Sequence, residues 1–183
     1  MLKYLVYTFA LILGLVLLAI FAVFFKTWWE YQLPSQQYVR QRFEEHRADF
    51  LQFAKLLRDD PSVTFVENDG KIDGMGGPLM PKMQSQYPAL MRKIGAKFVI
   101  VREDGSMEFA LAGNGGTIMS DSYMGVRYFP NDHKTNSTMG YTQALVTSLD
   151  SKKLPQENGD VATGLYVVPI EPEWFLYRFE YQE

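Results

Sequence analysis

The chain of 183 residues contains no cysteine. This absence excludes disulfide bonds, thiolate zinc sites, a cysteine nucleophile and a lipid-modified N-terminal cysteine. It does not indicate a compartment, because proteins without disulfides fold on either side of a membrane. The fold must therefore be stabilised by the packing of its core and not by covalent cross-links.

An excess of positive charge is also missing. The 18 Lys and Arg residues are outnumbered by 21 Asp and Glu residues, which gives a formal net charge of −3. Nucleic-acid binding needs a clustered positive surface, and recognition of anionic lipid headgroups needs a polybasic segment. We therefore predict no nucleic-acid partner and no membrane contact beyond an apolar anchor.

Sequence motifs of catalytic, phosphate-binding or metal-binding sites are scarce. There are two histidines, and neither a phosphate-binding loop nor a Gly-x-Ser-x-Gly nucleophile elbow occurs. Residues 67–73 resemble the middle of a calcium loop, but alignment on Gly70 puts Phe65 and Gly76 at the first and last ligand positions. Neither side chain can coordinate calcium. The sequence thus predicts no metal site and no cofactor.

What the sequence does contain is a long apolar run. Residues 4–25 carry no charge, and a helix of this length covers about 33 Å, which is enough to cross the hydrocarbon core of a bilayer. Lys3 and Lys26 flank the run. The aromatic residues expected at a membrane interface follow it: Trp28, Trp29 and Tyr31.

A cleaved signal peptide is the alternative interpretation of this run. Its apolar region would be shorter and would end in small residues, whereas Ala22 is followed by Val23, Phe24 and Phe25. We predict a short tail over 1–3, an uncleaved transmembrane helix over 4–25, an interfacial linker over 26–35 and a soluble domain over 36–183.

The orientation prediction follows from the short N-terminus. Three residues ahead of an anchor usually stay in the cytoplasm while the long domain crosses the membrane. We expect a single-pass protein of the cell membrane with its domain on the outer side. In a bacterium this location is the inner membrane with a periplasmic domain.

Residues 36–59 have the pattern of one amphipathic helix that begins after Pro34 and Ser35 and ends at Pro61. Its apolar stripe recurs every three or four residues: Val39, Phe43, His46, Phe50, Phe53 and Leu57. We predict that this stripe packs on the domain's own sheet, and a helix that binds a partner is the alternative. His46 is expected to be a boundary residue with one hydrogen bond.

The clearest strand pair is a hairpin formed by residues 98–102 and 107–111. A two-residue turn at Asp104-Gly105 would place position 100 opposite 109 and position 98 opposite 111. The predicted buried face is Phe98, Ile100, Met107, Phe109 and Leu111. The predicted opposite face is Val99, Val101, Glu108 and Ala110.

The remaining elements complete an α+β domain with a mainly antiparallel sheet packed by the amphipathic helix. We predict strands at 63–66, 118–119, 123–129, 165–170 and 174–181, a turn at 68–70 and a bulge at Gly125. We also predict a helix at 86–94 and a helix at 138–149 with Tyr141, Leu145 and Leu149 facing inward. Polar loops are expected at 131–137 and 150–160.

Aromatic residues make up 15% of the chain. Tyrosine offers rigid contact area with a polar tip, so tyrosines on strands are candidates for a binding face. The predicted exposed face is Tyr123, Tyr128, Tyr177 and Tyr181. The alternative is that these residues are ordinary members of the sheet core and edge.

His133 is the other candidate site residue. It lies in a polar loop beside Asp132, with Asp121 upstream, and a histidine next to a carboxylate is one part of a hydrolytic site. A solvated loop residue is the competing interpretation.

Three functional hypotheses remain. The first is a membrane-anchored, extracytoplasmic module that binds another protein without catalysis, such as a toxin-neutralising immunity-type protein or an envelope assembly subunit. It would use the sheet face or the loops at 74–83 and 131–137. The second is an envelope hydrolase that uses His133 with Asp132 or Asp121. The third is a small-ligand sensor with an aromatic-lined cavity between helix 36–59 and the sheet.

Overall fold

The computed structural model describes residues 13–22, 33–74, 85–113, 122–130, 143–157 and 160–181. The chain divides into two units, Met1–Gln32 and Leu33–Glu183. In the first unit, residues 13–22 form helix α1. The large apolar side chains of α1 are exposed, from 48% for Val16 and Ile20 to 70% for Phe21.

The membrane prediction extends beyond the described part of the first unit. Within the described residues, no helix combines the length and the apolar character that a membrane crossing requires. Residues 4–12 and 23–25 of the predicted transmembrane helix lie outside the described residues.

The second unit contains three α-helices and ten strands within its described residues. The helices are α2 (Gln36–Glu45), α3 (Arg47–Asp59) and α4 (Tyr87–Ile94). The strands are β1 (Val63–Glu67), β2 (Ile72–Gly74), β3 (Phe98–Val101), β4 (Met107–Gly113), β5 (Ser122–Tyr128), β6 (Gln143–Leu145), β7 (Gln156–Glu157), β8 (Asp160–Val161), β9 (Gly164–Glu171) and β10 (Trp174–Glu180). A 3-10 helix spans Ser151–Lys153.

Eight of these strands form one sheet in the order β2-β1-β3-β4-β5-β10-β9-β6. Every described pair in it is antiparallel except β6 with β9, which is parallel. Strands β7 and β8 form a separate short hairpin. The α+β class with a mainly antiparallel sheet is confirmed.

The predicted helix over 36–59 is two helices. His46 separates them with φ −116° and ψ 21°, and its N–H donates to the carbonyl of Arg42. Its ring Nδ1 lies 3.3 Å from Asp49 Oδ2. The break leaves the apolar stripe intact, because its other members are at most 1% exposed: Val39, Phe43, Phe50, Phe53 and Leu57.

The predicted register of the hairpin β3–β4 is wrong by one residue. Phe98 pairs with Ala110 and Ile100 pairs with Glu108. The loop has three residues, Glu103 to Gly105, because the N–H of Arg102 donates to the carbonyl of Ser106 at 2.9 Å. Gly105 is left-handed with φ +77°. A type I turn followed by a left-handed glycine adds one residue relative to a two-residue turn.

This shift redistributes the side chains between the two faces. Val99, which was expected opposite the core, packs with Met107, Phe109 and Leu111 in the main core. Phe98 lies on the other face. A one-residue change in pairing moves a strand's side chains to the opposite face relative to its partner.

Replacement of Gly105 by alanine tests this loop. An alanine there would have to adopt φ +77°, and its Cβ would lie 3.3 Å from Pro130 Cγ. The left-handed region costs a non-glycine residue about 1–2 kcal/mol, so we expect a loss of about that size in the free energy of urea unfolding. A Gly105→Ala variant as stable as the wild type would contradict the three-residue loop.

The predicted helix over 138–149 is wrong in its described part. Residues 138–142 lie outside the described residues, but Gln143–Leu145 form strand β6. The N–H of Val146 continues the pairing by donating to the carbonyl of Val167. Ala144 and Val146 pack against the main core, whereas Leu145 is 67% exposed. This alternation follows the period of a strand.

The β-bulge that was predicted at Gly125 of β5 lies instead on the neighbouring strand β4. The β4–β5 register shifts between Ala110 and Ala112, while Ala110 pairs with Gly125. A Cβ on Gly125 would lie 1.9 Å from the carbonyl oxygen of Phe109. Glycine is required here because the two backbones approach more closely than any side chain allows.

The sheet has two apolar faces. The first face packs against α2, α3 and α4, and its central row is Val66, Val99, Phe109, Val126, Leu176 and Val168. Trp174 anchors this core, with ring centroids 5.1 Å from Phe43 and 6.1 Å from Phe50. The second face contains Ala110, Tyr123, Leu165, Val167, Phe175 and Tyr177.

Candidate functional site

A charged cluster lies within the second face. We define it as Arg102, Glu108 and Arg127. Glu108 pairs directly with Arg127 across β4 and β5, so both side chains leave the sheet on the same side. Arg102 follows β3 and reaches the same carboxylate because the three-residue loop turns the chain back at this point.

Glu108 is shared between the two arginines. Arg102 binds the Glu108 carboxylate in a bidentate manner, with Nε 3.3 Å from Oε1 and Nη2 3.1 Å from Oε2. Arg127 Nη1 lies 3.2 Å from Oε1. Glu108 is 1% exposed and Arg127 is fully buried.

The hydrogen bonds of Arg127 are incomplete. Its Nη2 donates to Ser106 Oγ at 3.2 Å, and its guanidinium lies 4.4 Å above the ring of Phe129. Its Nε and Nη1 have no hydrogen-bond partner, because the approach of Nη1 to Glu108 lacks hydrogen-bond geometry. Buried N–H groups without an acceptor are rare, so this deficit requires an explanation.

Two tyrosines border the cluster. Tyr123 donates its hydroxyl to Glu108 Oε2 at 3.3 Å. The ring of Tyr177 lies 5.7 Å from that of Tyr123, and its fully buried hydroxyl has no hydrogen-bond partner. Burial and the charge of Glu108 raise the pKa of both phenols. Both hydroxyls are therefore neutral donors at physiological pH.

The same carboxylate controls the ionisation of Arg102. Burial lowers the pKa of Arg102, but the charge of Glu108 and its hydrogen bonds more than offset that effect, so the pKa is raised overall. An arginine in this position stays charged at every physiological pH.

Buried tyrosines predict a specific alkaline instability. Burial and the charge of Asp60 also raise the pKa of Tyr87, to about 12, from 10.0. A group whose pKa is raised on folding stabilises the native state below its unfolded pKa and loses that contribution as pH rises. We expect the unfolding free energy to fall by about 2 kcal/mol between about pH 10 and pH 12 from Tyr87 alone.

Tyr123 and Tyr177 add to this loss in the same direction. Urea unfolding measured across this range, together with tyrosinate absorbance, checks the prediction. These three phenols should ionise only as the protein unfolds. Ionisation of every tyrosine near the ordinary pKa in a protein that remains folded would contradict their burial.

The predicted exposed face of tyrosines needs correction. Tyr123, Tyr128 and Tyr177 are at most 3% exposed, and only Tyr181, at 37%, is accessible. Tyr128 lies on the first face, where its ring is 4.9 Å from that of Trp174 and its hydroxyl accepts from Arg58 at 3.1 Å. The face is buried because the sheet is apolar on both sides. A role of these tyrosines in binding stays a prediction.

His133 lies outside the described residues, as do Asp121, Asp132 and the whole loop at 131–137. Most of the loop at 74–83 lies outside them as well. The proposed combination of His133 with a carboxylate therefore stays a prediction. Within the described part of the chain, no group of three acidic or histidine side chains is arranged to hold a metal ion.

The charged cluster was not predicted from the sequence. Glu108 was assigned to the opposite, less buried face of the hairpin, and the two arginines were not singled out. The available signal was a single acidic residue within the apolar strand Met107–Leu111 and a single basic residue within Ser122–Tyr128. Charges flanked by apolar residues on two adjacent strands are candidates for a buried pair.

The two edges of the sheet differ in charge. Edge strand β2 carries an exposed ion pair in which Lys71 Nζ lies 3.4 Å from Asp73 Oδ2. Edge strand β6 has the uncharged sequence Gln143–Leu145. Leu145 pairs with Val167, which pairs with Tyr177, so the exposed Leu145 lies on the second face at the end of its central row.

The exposed apolar residues of the second unit are few. Among its described residues, the large exposed ones are Tyr38, Leu51, Leu145 and Tyr181. Leu145 is the most exposed of the four, and it is in a strand at the sheet edge. No protein-family model, curated protein or solved structure matches this chain.

Proposed function

We propose that this chain is a single-pass, membrane-anchored module that binds another protein without catalysing a reaction. Residues 4–25 would form the anchor, and the second unit would lie outside the cell membrane, in the periplasm of a bacterium. The proposal is supported by α1, whose apolar side chains point outward around its whole circumference. A helix that is apolar all round requires an apolar environment, such as a bilayer.

Extraction of native membranes with alkaline carbonate tests the anchor. The full chain is expected to stay in the membrane pellet, and a protease added from the outside is expected to digest the second unit. A variant with Leu15 and Leu18 both replaced by Arg is the control, because two charges near the bilayer centre should release the chain. Release of the unaltered chain by carbonate would contradict the anchor.

The docking site that we propose is strand β6. Natural sheets protect exposed edges with charge or proline, and the ion pair on β2 is such a protection. Strand β6 has neither charge nor proline, and it presents Leu145 with 67% of its surface exposed. The proposal of docking at β6 is supported by this difference between the charged edge at β2 and the uncharged, apolar edge at β6.

The expected partner is a protein with an extended segment that adds to the sheet beside β6. Backbone hydrogen bonds would supply affinity, and an apolar pocket or side chain that covers Leu145 would supply specificity. Tyr181 follows β10, two strands away from β6, and is the exposed member of the four tyrosines predicted from the sequence.

Comparison of Leu145→Asp with Leu51→Asp tests the docking site. Both leucines are exposed, but Leu51 lies on helix α3. We expect Leu145→Asp to shift the chain from a larger complex to its free size in native gels of gently solubilised membranes. Leu51→Asp is expected to leave the complex intact. Equal behaviour of the two variants, or a free-sized wild type, would contradict docking at β6.

A further inference from the structure

The segment that follows strand β6 is held by side chains from two other elements. Leu149 is 1% exposed. Its N–H donates to Gln36 Oε1 at 2.9 Å, and its carbonyl accepts from Arg178 Nη1 at 3.1 Å. Both polar groups of this buried backbone position are therefore satisfied from helix α2 and strand β10. We define the Leu149 clamp as Gln36, Leu149 and Arg178.

A proline in β9 explains why the sheet does not hold this segment. The N–H of Val146 donates to the carbonyl of Val167, which extends the parallel pairing of β6 with β9 by one residue. In the parallel pattern, the carbonyl of Val146 would accept from the N–H of position 169. That position is Pro169, which has no N–H. The pairing therefore ends at Val146, and the Leu149 clamp fixes the chain beyond it.

The backbone of Leu145 faces the outer edge of the sheet. Successive residues of a strand direct their N–H and C=O groups to alternate sides. Because Val146 directs its N–H at β9, Leu145 directs its own N–H and C=O away from β9. A partner strand that adds to β6 would pair with these groups, so it needs them in a regular extended conformation.

Strand β6 has little support within the sheet. It spans only Gln143–Leu145, and it is the last strand of the described sheet. A short segment with few backbone hydrogen bonds opens locally at a low free energy. The Leu149 clamp holds the chain just past the end of β6, so it limits the fraying of the strand from that side.

The other side of the clamp is the first turn of helix α2. Gln36 is the first residue of α2, and it directly follows the predicted linker over 26–35 in the sequence. Ser35 caps this turn, because its Oγ accepts from the N–H of Tyr38 at 3.2 Å. The side chain of Gln36 reaches Leu149 from a wound turn, so fraying of the turn would release the clamp.

We infer that the first turn of α2 regulates docking at β6 through the hydrogen bond between Gln36 and Leu149. The inference rests on the docking site proposed above. With the turn wound, β6 is a preformed docking strand, and the partner does not have to order it. With the turn frayed, β6 loses this support and binds the partner more weakly. The coupling is reciprocal, so a docked partner stabilises the first turn of α2.

Hydrogen exchange of the full chain in detergent tests the effect of the clamp on β6. Gln36→Met removes the acceptor and keeps the length of the side chain. We expect the amides of residues 143–146 to exchange about tenfold faster in this variant, which corresponds to one lost hydrogen bond. The amides of β2, at the opposite edge of the sheet, open independently of the clamp and are expected to exchange as in the wild type.

Two further variants isolate the hydrogen bond as the cause. Gln36→Glu keeps an acceptor oxygen at the same place, so it is expected to retain the slow exchange of the wild type. Gln41→Met is the matched control, because Gln41 Nε2 donates to Glu45 Oε1 at 2.8 Å on the exposed side of the same helix. We expect it to leave exchange in β6 unchanged.

Ser35→Ala tests the regulation by the first turn. This variant removes the cap of α2 and leaves Gln36 in place. Loss of a serine cap favours fraying of the first turn, so we expect exchange at residues 143–146 to be about fivefold faster.

Photo-cross-linking from position 145 in native membranes connects this exchange to docking. The yield of the partner adduct is expected to fall several-fold in Gln36→Met and Ser35→Ala and to stay at the wild-type level in Gln36→Glu and Gln41→Met. The first two variants change no residue of β6, so the loss would come from the disordering of the strand.

Three results would overturn the inference. The first is exchange at residues 143–146 that is as slow in Gln36→Met as in the wild type. The second is equally fast exchange in Gln36→Glu and Gln36→Met. The third is an undiminished adduct from Gln36→Met despite its faster exchange. A wild-type chain without any adduct at position 145 would contradict docking at β6 and the regulation with it, whereas the exchange rates show separately whether the clamp orders the strand.

Discussion

Replacement of Glu108 by glutamine is expected to destabilise the domain by about 3–5 kcal/mol. The change leaves two guanidinium groups in the second face without the carboxylate that they share. Removal of one partner from a buried ion pair costs this much because the remaining charge is desolvated and uncompensated. Glutamine has nearly the same shape, so lost packing contributes little. Urea unfolding at neutral pH measures the effect.

Glu171→Gln is the matched control. Glu171 also pairs with an arginine, Arg47, but that pair is exposed, with 52% of the Arg47 side chain accessible. Exposed pairs contribute about 0–1 kcal/mol, so the control should lie within that range. If Glu108→Gln were as mild as Glu171→Gln, the charged cluster would have to be hydrated, and its burial in the second face would be wrong.

Replacement of Gly125 by alanine is expected to have an effect of similar or larger size. Its Cβ would lie 1.9 Å from the carbonyl oxygen of Phe109 and 2.9 Å from the carbonyl carbon. Both atoms belong to the backbone of β4 in the middle of the sheet, so no side chain can rotate to make room. The two strands must separate, and we expect a loss above about 4 kcal/mol or failure to fold.

Gly70→Ala provides the comparison for Gly125→Ala. Gly70 has φ +95° in the turn after β1, and its Cβ would lie 3.4 Å from Pro88 Cγ, an ordinary contact. The strain there is confined to one backbone angle, so the expected loss is about 1–2 kcal/mol. A Gly125→Ala protein with the stability of Gly70→Ala would contradict the close approach of β4 and β5.

These two substitutions concern features that the sequence predicted only in part. The apolar stripe of residues 39–57, the strands of the β9–β10 hairpin and the short helix α4 were predicted because local periodicity and capping residues determine them. Gly95, for example, ends α4 in a left-handed conformation, as expected for a glycine just past a helix.

Local periodicity and capping residues do not determine the register of the β3–β4 hairpin. Asp104-Gly105 fits a two-residue turn and also a three-residue loop, and the choice between them is made by tertiary packing. In the observed loop, Asp104 Oδ1 accepts from the N–H of Ser106 at 2.8 Å, which stabilises the longer form. The difference of one residue decides whether Val99 or Phe98 lies beside Phe109 on the first face.

The error at residues 143–149 has a different origin. Leu145 and Leu149 are four residues apart, which fits a helix, whereas Ala144 and Val146 alternate as in a strand. Short segments allow both interpretations. Pairing with β9 decides the outcome, and it turns Leu145 from an expected core residue into the most exposed large apolar residue described in the second unit.

The candidate site eluded prediction because both faces of the sheet are buried. Tyrosines on an antiparallel sheet are expected on a solvated face when helices cover the other one. Here Tyr123 and Tyr177 lie on the face opposite the described helices α2, α3 and α4, and they are nevertheless buried beside Glu108. Sequence patterns indicate alternation but not what covers each side.

Site-specific photo-cross-linking in native membranes tests the central proposal, a membrane-anchored module that docks a partner at β6, most directly. A photoreactive amino acid is placed at Leu145 in one variant and at Leu51 in the other. We expect a discrete protein adduct from position 145 that is at least about tenfold stronger than any adduct from position 51. Adducts of equal strength at both positions, or none at position 145, would contradict it.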